Sequence, residues 1–489
     1  MLTLINTNRM RPPIAPLGLD YLACAARAAG IDVSIVDLGL APEPTETLRA
    51  HFNHHSAELV GVTVRNVDDS FWPSAQSFLP PIVDLVGTLR RLTDAKMVLG
   101  GVGFSIFARQ IVERTGADYG IRGDGEQAIV ALYHAVCGRG HPRDIPGLLY
   151  ARRVNAPAWD ADGGALHVPT ARDALDNATY LRLGGQIGLE TKRGCPEACD
   201  FCADPLAKGR ASRLRPPAEV ADEAASLLRQ GVDVLHLCDG EFNIPVEHAR
   251  AVCDELIRRG LGPRLRWYAY MAVVPFDADL ARAMRQAGCV GVNFTGPAAT
   301  DTMLRCYGQH HRPEDIAAAV SVAHAAGITV MLDMLLGGPG ETPQTIADAV
   351  DFLRRVDPDC VGMALGVRLY PNLPLTRRIA AAGPLESSPA VHRRYPGEID
   401  LLLPTFYISP DLGEHPAALV RDRIGGDRRF FEPRDEVGAS GDAAGQEQKG
   451  YNYNDNETLV RAIAAGARGA YWDILRTLRG CRGHSERLH

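Results

Sequence analysis

The chain has 489 residues, of which 46% are hydrophobic and 23% charged, so it is long enough for two or three domains with packed cores. Its formal net charge of −7 provides no basic surface of the kind that binds nucleic acid or an anionic membrane. No apolar run is long enough to span a bilayer, no signal peptide precedes the first apolar stretch, and the 11 irregularly spread cysteines fit a reducing cytoplasm better than a disulfide framework.

Residues 1–145 alternate short apolar strands with amphipathic helices. The predicted strands are 2–5, 33–37, 59–64, 97–100 and 118–122, and the predicted helices are 17–29, 45–53, 82–91, 107–115 and 126–137. Alternation at this spacing predicts an α/β fold, a doubly wound parallel sheet with helices on both faces. Ligands of such sheets bind beyond the carboxyl ends of the strands.

Glycines and polar residues follow these predicted strands, where a ligand would bind. The candidates are Asn8, Pro16 and Leu17 after the first strand, Arg65 and Asn66 after the third, Gly100, Gly101, Val102, Gly103 and Phe104 after the fourth, and Gly123 and Glu126 after the fifth. Glycine lets the backbone approach a large flat or phosphate-bearing ligand, although a glycine-rich turn is also common as a plain tight loop. The GxGxxG spacing of a nicotinamide site is absent.

The second half of the chain repeats strand and helix after a linker. Residues 146–183 lack periodicity and are rich in Ala, Asp, Pro and Gly, which is typical of a connecting segment. Within residues 184–370 the predicted strands are 186–191, 232–238, 265–270, 290–294, 329–336 and 360–365, and the predicted helices are 217–230, 245–259, 278–287, 313–326 and 342–355. This number of strands predicts a partial barrel rather than a closed TIM barrel.

The loop after the first barrel strand carries Cys195, Cys199 and Cys202 in the pattern CxxxCxxC. Three thiolates at this spacing favour zinc, copper(I) or an iron–sulfur cluster. No fourth ligand follows within the next turn or two, so a four-iron cluster held here would keep one iron open. A structural zinc knot or a group of reduced core cysteines is the alternative interpretation.

This motif, with the aromatic Phe201 just before its last cysteine, resembles that of the radical S-adenosylmethionine (SAM) enzymes. The resemblance implies a (β/α)6 partial barrel and a [4Fe–4S] cluster on the three cysteines. It also implies that SAM binds the open iron and is cleaved by one electron to a 5′-deoxyadenosyl radical. The SAM contacts implied by the family are Phe201, Asp239 and Glu241 in a variant of the GGE motif, and Gly338 in a glycine-rich segment. Tyr268, Tyr270 and Asn293, on later predicted strands, are further candidates for contact with SAM or with the substrate.

Several of these candidate contacts have alternative interpretations. Asp239 replaces the first Gly of the GGE motif, which puts the backbone role there in doubt. Tyrosines on barrel strands commonly fill a core with their hydroxyl satisfied, so Tyr268 and Tyr270 could do that, or could contact substrate together with Asn293.

The first domain resembles the cobalamin-binding domain that precedes the radical SAM core in one branch of that family. The matching stretches are PPIAPLGLDYLA at residues 12–23, the turn at Arg65 and Asn66, and GGVGFS at residues 100–105. The DxHxxG motif, whose His ligates cobalt in cobalamin mutases and methionine synthase, is absent. The resemblance therefore implies cobalt without a His ligand, with Arg65, Asn66 or Trp72 covering its lower face.

These resemblances together imply an enzyme that methylates an unactivated carbon of a small metabolite through a 5′-deoxyadenosyl radical and methylcobalamin. Radical rearrangement or ring contraction without methyl transfer would use the same cofactors, and a non-catalytic cobalamin or metal sensor is a third hypothesis. We further expect a small-molecule substrate, an electron donor such as flavodoxin or ferredoxin, a monomer and a cytoplasmic location, with no nucleic-acid or membrane partner.

Residues 371–489 are predicted to be mainly helical, with one helix over residues 457–478 interrupted at Gly466 and Gly469. In relatives of the cobalamin type such a region closes the barrel mouth. On that hypothesis, deleting residues 436–489 would abolish substrate turnover and leave reductive SAM cleavage intact.

Overall fold

The computed structural model describes residues 1–160, 165–434 and 452–481. The chain packs as two compact units: unit 1 holds residues 1–68, 77–196 and 203–232, and unit 2 holds residues 69–76, 197–202 and those from 233 onward. The domain boundaries predicted at residues 145, 183 and 370 do not coincide with this division and stay a prediction. None of the described helices is both long and apolar enough to cross a membrane.

Unit 1 is built on a seven-stranded sheet. Its strands are β1 (Leu2–Asn6), β2 (Val33–Asp37), β3 (Leu59–Thr63), β4 (Lys96–Gly100), β5 (Tyr119–Ile121), β6 (Leu148–Tyr150) and β7 (Arg153–Val154). Their order is β2-β1-β3-β4-β5-β6-β7, with the first five parallel and the last two forming an antiparallel edge. Because the chain continues from β1 to β2 on one side while β3 lies on the other, the carboxyl ends of β1 and β3 form the switch point where such sheets bind ligands.

The described residues of unit 1 form nine α-helices, of which the first six lie between strands of the sheet in the chain and the last three follow the sheet. They are α1 (Leu17–Ala28), α2 (Pro44–His54), α3 (Leu79–Leu92), α4 (Val102–Ile106), α5 (Ala108–Thr115), α6 (Glu126–Val136), α7 (Asn177–Gly184), α8 (Asp204–Lys208) and α9 (Pro217–Arg229). Three short strands complete the unit: β8 (Ile187–Leu189), β9 (Lys192–Arg193) and β10 (Arg213–Leu214), of which β9 and β10 pair antiparallel. Apolar residues of β1, α1 and α6, such as Leu4, Ala23 and Leu132, form one buried core cluster because each element turns a single apolar face to the others.

Unit 2 contains parallel strands in the order β19-β15-β14-β13-β12-β11. These strands are β11 (Val234–Leu237), β12 (Arg266–Met271), β13 (Cys289–Phe294), β14 (Thr329–Leu336), β15 (Cys360–Leu365) and β19 (Phe430–Phe431). A small antiparallel sheet is made of β16 (Val367–Arg368), β17 (Val391–Arg393) and β18 (Thr405–Tyr407). The helices of unit 2 are α10 (Val246–Arg258), α11 (Ala278–Gln286), α12 (Asp301–Cys306), α13 (Pro313–Ala325), α14 (Pro343–Val356), α15 (Pro374–Ala381), α16 (Pro416–Ile424), α17 (Glu457–Ala464) and α18 (Tyr471–Leu478).

Helix α18 packs against side chains from the amino-terminal halves of the barrel strands. The Tyr268 hydroxyl donates a hydrogen bond to Asp473 Oδ2 at 2.8 Å, and the Tyr268 ring meets the Trp472 ring edge to face at 5.7 Å. A side chain at Gly291 would collide with both rings, so glycine leaves the space that Trp472 fills. Tyr268, predicted to contact SAM, is therefore engaged by α18 instead.

Candidate functional site

A cavity of about 330 Å³ opens in unit 2 among the carboxyl-terminal halves of its strands. Five aromatic side chains line it: Phe71, Trp72, Phe201, Tyr270 and Tyr370. Cys199 also lines the cavity, together with polar side chains that include Asn293, Asp333, Gln309 and Arg368. An apolar cavity with a few convergent polar groups is the usual form of a small-molecule site.

The cysteine loop is anchored in unit 2 by several contacts. Gln309 Nε2 donates to Cys199 Sγ at 3.1 Å, and the Phe201 ring meets the Tyr307 ring edge to face at 5.3 Å. Asp200 pairs with Arg378 at 2.8 Å, which fixes the middle of the loop. In unit 1, Cys195 is 8% exposed, and its N–H donates to the carbonyl of Gly209.

All three motif cysteines are free thiols, which is the donor set that an iron–sulfur cluster requires. Over the described ranges, no three His, Cys, Asp or Glu side chains are already arranged to hold a metal ion. Cluster ligation by Cys195, Cys199 and Cys202 therefore stays a prediction that rests on their spacing and chemistry.

Asn293 and Asp333 form a buried polar pair on the cavity wall. Asn293 Nδ2 donates to Asp333 Oδ2 at 2.6 Å. Burial raises the pKa of the Asp333 carboxyl to about 6, and the hydrogen bond from Asn293 partly offsets this. The Oδ1 atoms of both side chains are buried and accept no hydrogen bond from any described residue. The pair thus presents two acceptor atoms whose donors are missing.

The residues predicted to contact SAM at the ends of β11 and β14 are held by neighbouring side chains or buried. Thr295, which lines the cavity, donates to Glu241 Oε1 at 2.6 Å, and Asp239 is 4% exposed. A Cβ at Gly338 would strike the Tyr307 side chain, so the glycine there is explained by packing. These positions are compatible with a SAM site, and their cofactor contacts stay a prediction.

The carboxyl edge of the sheet in unit 1 has the features expected of a cobalamin cradle. Gly101 has φ +112°, and a Cβ there would collide with the Val64 carbonyl, so the loops after β3 and β4 approach each other more closely than side chains allow. Val102, which lies between Gly101 and Gly103, has a side chain that is 42% exposed. Asn8 Nδ2, at the end of β1, is buried without an acceptor among the described residues. A free donor, an exposed apolar side chain and close backbone loops fit a large flat ligand.

Three predicted cobalamin contacts are instead occupied by the chain's own side chains. Glu126 Oε1 accepts from Arg193 at 2.7 Å, and this guanidinium holds the pKa of the Glu126 carboxyl below its usual value despite burial. The Trp159 ring lies where a Cβ of Gly123 would be. Phe104 is 0% exposed, in the core. The geometry therefore does not offer Glu126, Gly123 or Phe104 to a ligand.

Sequence reasoning missed Asp333, although its signal was present. It is the one charged residue in TVMLDMLL, the sequence of β14, and a carboxylate inside an apolar barrel strand indicates a functional position. Phe71, Tyr370 and Arg368 lie in no motif, and only the folding of distant segments brings them to the cavity.

Comparison with known proteins agrees with this two-part organisation. Residues 189–353 match the Radical SAM superfamily, and residues 4–133 match the B12 binding domain. The chain is 30% identical to the tryptophan 2-C-methyltransferase of Streptomyces laurentii, over 96% of this chain and 94% of the relative. It is 24% identical to the hopanoid C-3 methylase of Methylococcus capsulatus, over 58% of this chain and 57% of the relative.

A solved structure is similar over almost the whole chain. The radical SAM methyltransferase TsrM from Kitasatospora setae, determined with tryptophan substrate and a SAM analogue, superposes with a TM-score of 0.89 at 30% identity, covering 98% of this chain and 97% of that chain.

These findings define a radical SAM protein that carries a B12-binding domain. The chain belongs to the cobalamin-dependent radical SAM methyltransferases, the family of tryptophan 2-C-methyltransferase. The predictions of this family, of the α/β fold, of C-methylation as the reaction class, and of cobalamin, SAM and a [4Fe–4S] cluster as cofactors are confirmed. The relatives favour methylation over rearrangement or sensing.

Gly103→Ala is expected to weaken cobalamin binding about 5- to 150-fold, the range that overpacking of a well-packed site produces. A Cβ at Gly103 would lie 2.8 Å from Asn66 Cα, so the two loops of the cradle must separate. Binding of hydroxocobalamin to the apoprotein, followed by absorbance, measures the effect. Gly87→Ala is the matched control, because a Cβ there meets only the flexible Arg91 guanidinium at 3.9 Å. Equal affinities for the two variants would contradict the prediction.

Proposed function

We propose that this enzyme methylates a ring carbon of a small aromatic amino acid or its close derivative, with carbon 2 of tryptophan as the leading candidate. The observation that carries the proposal is the aromatic cavity of unit 2, in a chain aligned over 96% of its length with a tryptophan 2-C-methyltransferase. At about 330 Å³ the cavity suits a one- or two-ring compound rather than a polycyclic lipid or a peptide.

The walls of the cavity are rigid enough to orient a flat ring. Trp72 packs against Phe406 at 5.7 Å and His392 at 5.5 Å, and the Ser70 and Tyr370 hydroxyls lie 2.9 Å apart. The Arg368 guanidinium lies over the Tyr370 ring at 4.7 Å. Side chains held in this way bind an aromatic ring by stacking without losing much conformational freedom.

The corrinoid, when bound, carries the methyl group of SAM to the substrate carbon. A methyl group that replaces hydrogen on an electron-rich indole carbon lets that hydrogen leave as a proton, so substrate and SAM give methylated product, S-adenosylhomocysteine and H⁺ with no net oxidation. This differs from the hydrogen-atom abstraction that the family resemblance implies for an unactivated carbon.

The test is anaerobic turnover of the reconstituted enzyme with tryptophan and methyl-deuterated SAM, analysed by mass spectrometry. We expect tryptophan to gain one trideuterated methyl group, and S-adenosylhomocysteine to match the product one for one while 5′-deoxyadenosine stays well below it. In a second reaction the enzyme is given methyl-deuterated SAM and a mixed metabolite pool. The proposed substrate would be wrong if tryptophan stayed unlabelled while a non-aromatic compound of the pool gained the label.

The remaining expectations belong to the same proposal. A low-potential donor such as flavodoxin or ferredoxin would reduce the cluster and the cobalt, which requires a reducing compartment such as the cytoplasm, and we infer a monomer. The 11 cysteines, all free thiols, support such a compartment.

A further inference from the structure

We propose that Gln309 is a positioning residue for the iron–sulfur cluster: its side-chain amide donates a hydrogen bond to the sulfur of Cys199 and so raises the reduction potential of the cluster. Gln309 Nε2 lies 3.1 Å from Cys199 Sγ, and both residues line the cavity of unit 2. This role rests on ligation of the cluster by Cys199, which the spacing of the motif predicts, and it is the same whichever compound the enzyme methylates.

The turn that ends helix α12 determines where Gln309 lies. Gly308 has φ +70°, in the left-handed region that favours glycine. Its N–H donates to the carbonyl of Arg305 at 3.2 Å, and the N–H of Gln309 donates to the carbonyl of Leu304 at 2.9 Å, which is the Schellman motif of helix ends. A Cβ at Gly308 would lie 2.9 Å from the carbonyl oxygen of Ala198, so the turn packs directly against the cysteine loop. The backbone therefore places the Gln309 side chain beside that loop.

A second acceptor fixes the orientation of the Gln309 amide. Nε2 also lies 3.4 Å from the carbonyl oxygen of Tyr307, and that carbonyl accepts the N–H of Asp200 at 3.0 Å. Sulfur and carbonyl oxygen are both acceptors, so the amide must turn its NH₂ group, which has two hydrogens, towards them. The opposite orientation would place Oε1 of the amide against two acceptors. The donor is therefore held on the sulfur of Cys199.

The charge of the sulfur explains the effect on the potential. The acceptor in the structure is a thiol, and the same atom is a thiolate when Cys199 ligates iron. Reduction adds one electron, part of whose negative charge falls on the sulfur ligands. A hydrogen bond strengthens as its acceptor becomes more negative, so Gln309 stabilises the reduced state more than the oxidised state. Hydrogen bonds to the sulfurs are among the factors that set the potentials of iron–sulfur clusters. Gln309 thus makes the cluster easier to reduce by a protein such as flavodoxin or ferredoxin.

The experiment is a potentiometric titration of the reconstituted holoenzyme with titanium(III) citrate, in the absence of SAM and substrate. Electron paramagnetic resonance follows the reduced cluster separately from cob(II)alamin. Gln309→Met keeps the unbranched shape of the side chain and removes the donor. We expect it to shift the one-electron equilibrium about tenfold towards the oxidised cluster, which is a midpoint about 59 mV more negative. Gln309→Lys keeps an N–H donor at similar reach, so its midpoint should equal or exceed that of the wild type.

Controls separate this role from a structural one. Gln344→Met makes the same substitution on the exposed face of α14, where the Gln344 amide donates to Asp348 Oδ1 at 2.8 Å, and it should keep the wild-type midpoint. An unchanged midpoint in Gln309→Met would overturn the inference. Equal decreases in Gln309→Met and Gln309→Lys would also overturn it, because disturbed packing would then be the cause.

Iron content, measured before each titration, shows whether the cluster has assembled. A Gln309→Met protein without iron would show that Gln309 is needed to assemble the cluster rather than to set its potential, and the inference would be wrong. Since the titration uses no substrate, its result does not depend on whether tryptophan is methylated.

Discussion

Arg172→Met is expected to lower the free energy of unfolding by about 3–5 kcal/mol, because it leaves a buried carboxylate without its cation. Arg172 Nε lies 2.7 Å from Asp20 Oδ2, and Nη1 lies 2.6 Å from Glu223 Oε1; all three side chains are 0% exposed. Arg215 also pairs with Glu223, at 2.7 Å, so the uncompensated charge falls mainly on Asp20.

The position of these groups along the chain explains the size of the effect. Asp20 lies on α1, Arg172 in the segment predicted as a linker, and Glu223 on α9. The same guanidinium also donates to the carbonyl of Gly188. One side chain therefore joins separate parts of unit 1, and its loss should affect the cooperative unfolding of that unit rather than one helix.

Urea denaturation of the apoprotein, followed by circular dichroism, measures this prediction. Arg27→Met is the matched control: the Arg27 side chain is 44% exposed and lies 3.9 Å from Asp173, so its loss should cost below about 1 kcal/mol. Arg172→Lys should fall between the two, since lysine keeps the charge and loses the fork geometry. If Arg172→Met and the control unfolded at the same urea concentration, the ion-pair network would make no net contribution to the free energy of unfolding.

The segment around Arg172 also shows where prediction from sequence reaches its limit. Short runs of mainly apolar residues predicted β2 at residues 33–37 and β14 at residues 329–336 with the bounds that the structure has. Helix α7 was missed within the predicted linker, because its stability comes from distant partners. Asn177 donates a hydrogen bond to Asp20, and the Tyr180 hydroxyl donates one to Asp37. Contacts between residues so far apart in the chain cannot be predicted from the local sequence.

The candidate site divides in the same way. The three cysteines of the loop lie within eight consecutive residues, so the chemistry of the loop could be predicted from their spacing. The cavity wall is made by single residues from separate segments, such as Trp72, Tyr270 and Asp333, which only the fold brings together. Glu126 shows the converse error: it lies at a strand end that suggests a ligand contact, but Arg193, which follows it by 67 residues, neutralises it.

Trp472→Ala is expected to destabilise unit 2 by about 3–5 kcal/mol and to abolish SAM cleavage as well as turnover. Trp472 is 2% exposed, and it fills the space that Gly291 leaves against Tyr268. Tyr471 of the same helix meets the Tyr453 ring at 5.8 Å. Helix α18 thus completes the barrel core at the amino-terminal halves of the strands, away from the cavity at their carboxyl-terminal halves.

This geometry changes the expected result of truncation. A lid over the barrel mouth would allow a protein lacking residues 436–489 to cleave SAM, whereas a core helix would not. Melting temperature and reductive SAM cleavage, measured on Trp472→Ala with a strong chemical reductant and without substrate, separate the two roles. Leu478→Ala is the control on the same helix, because Leu478 is 50% exposed and its loss should leave both quantities unchanged. A Trp472→Ala protein that melts like the wild type and still cleaves SAM, yet forms no product, would restore the lid hypothesis, since only a role at the substrate could then explain the loss.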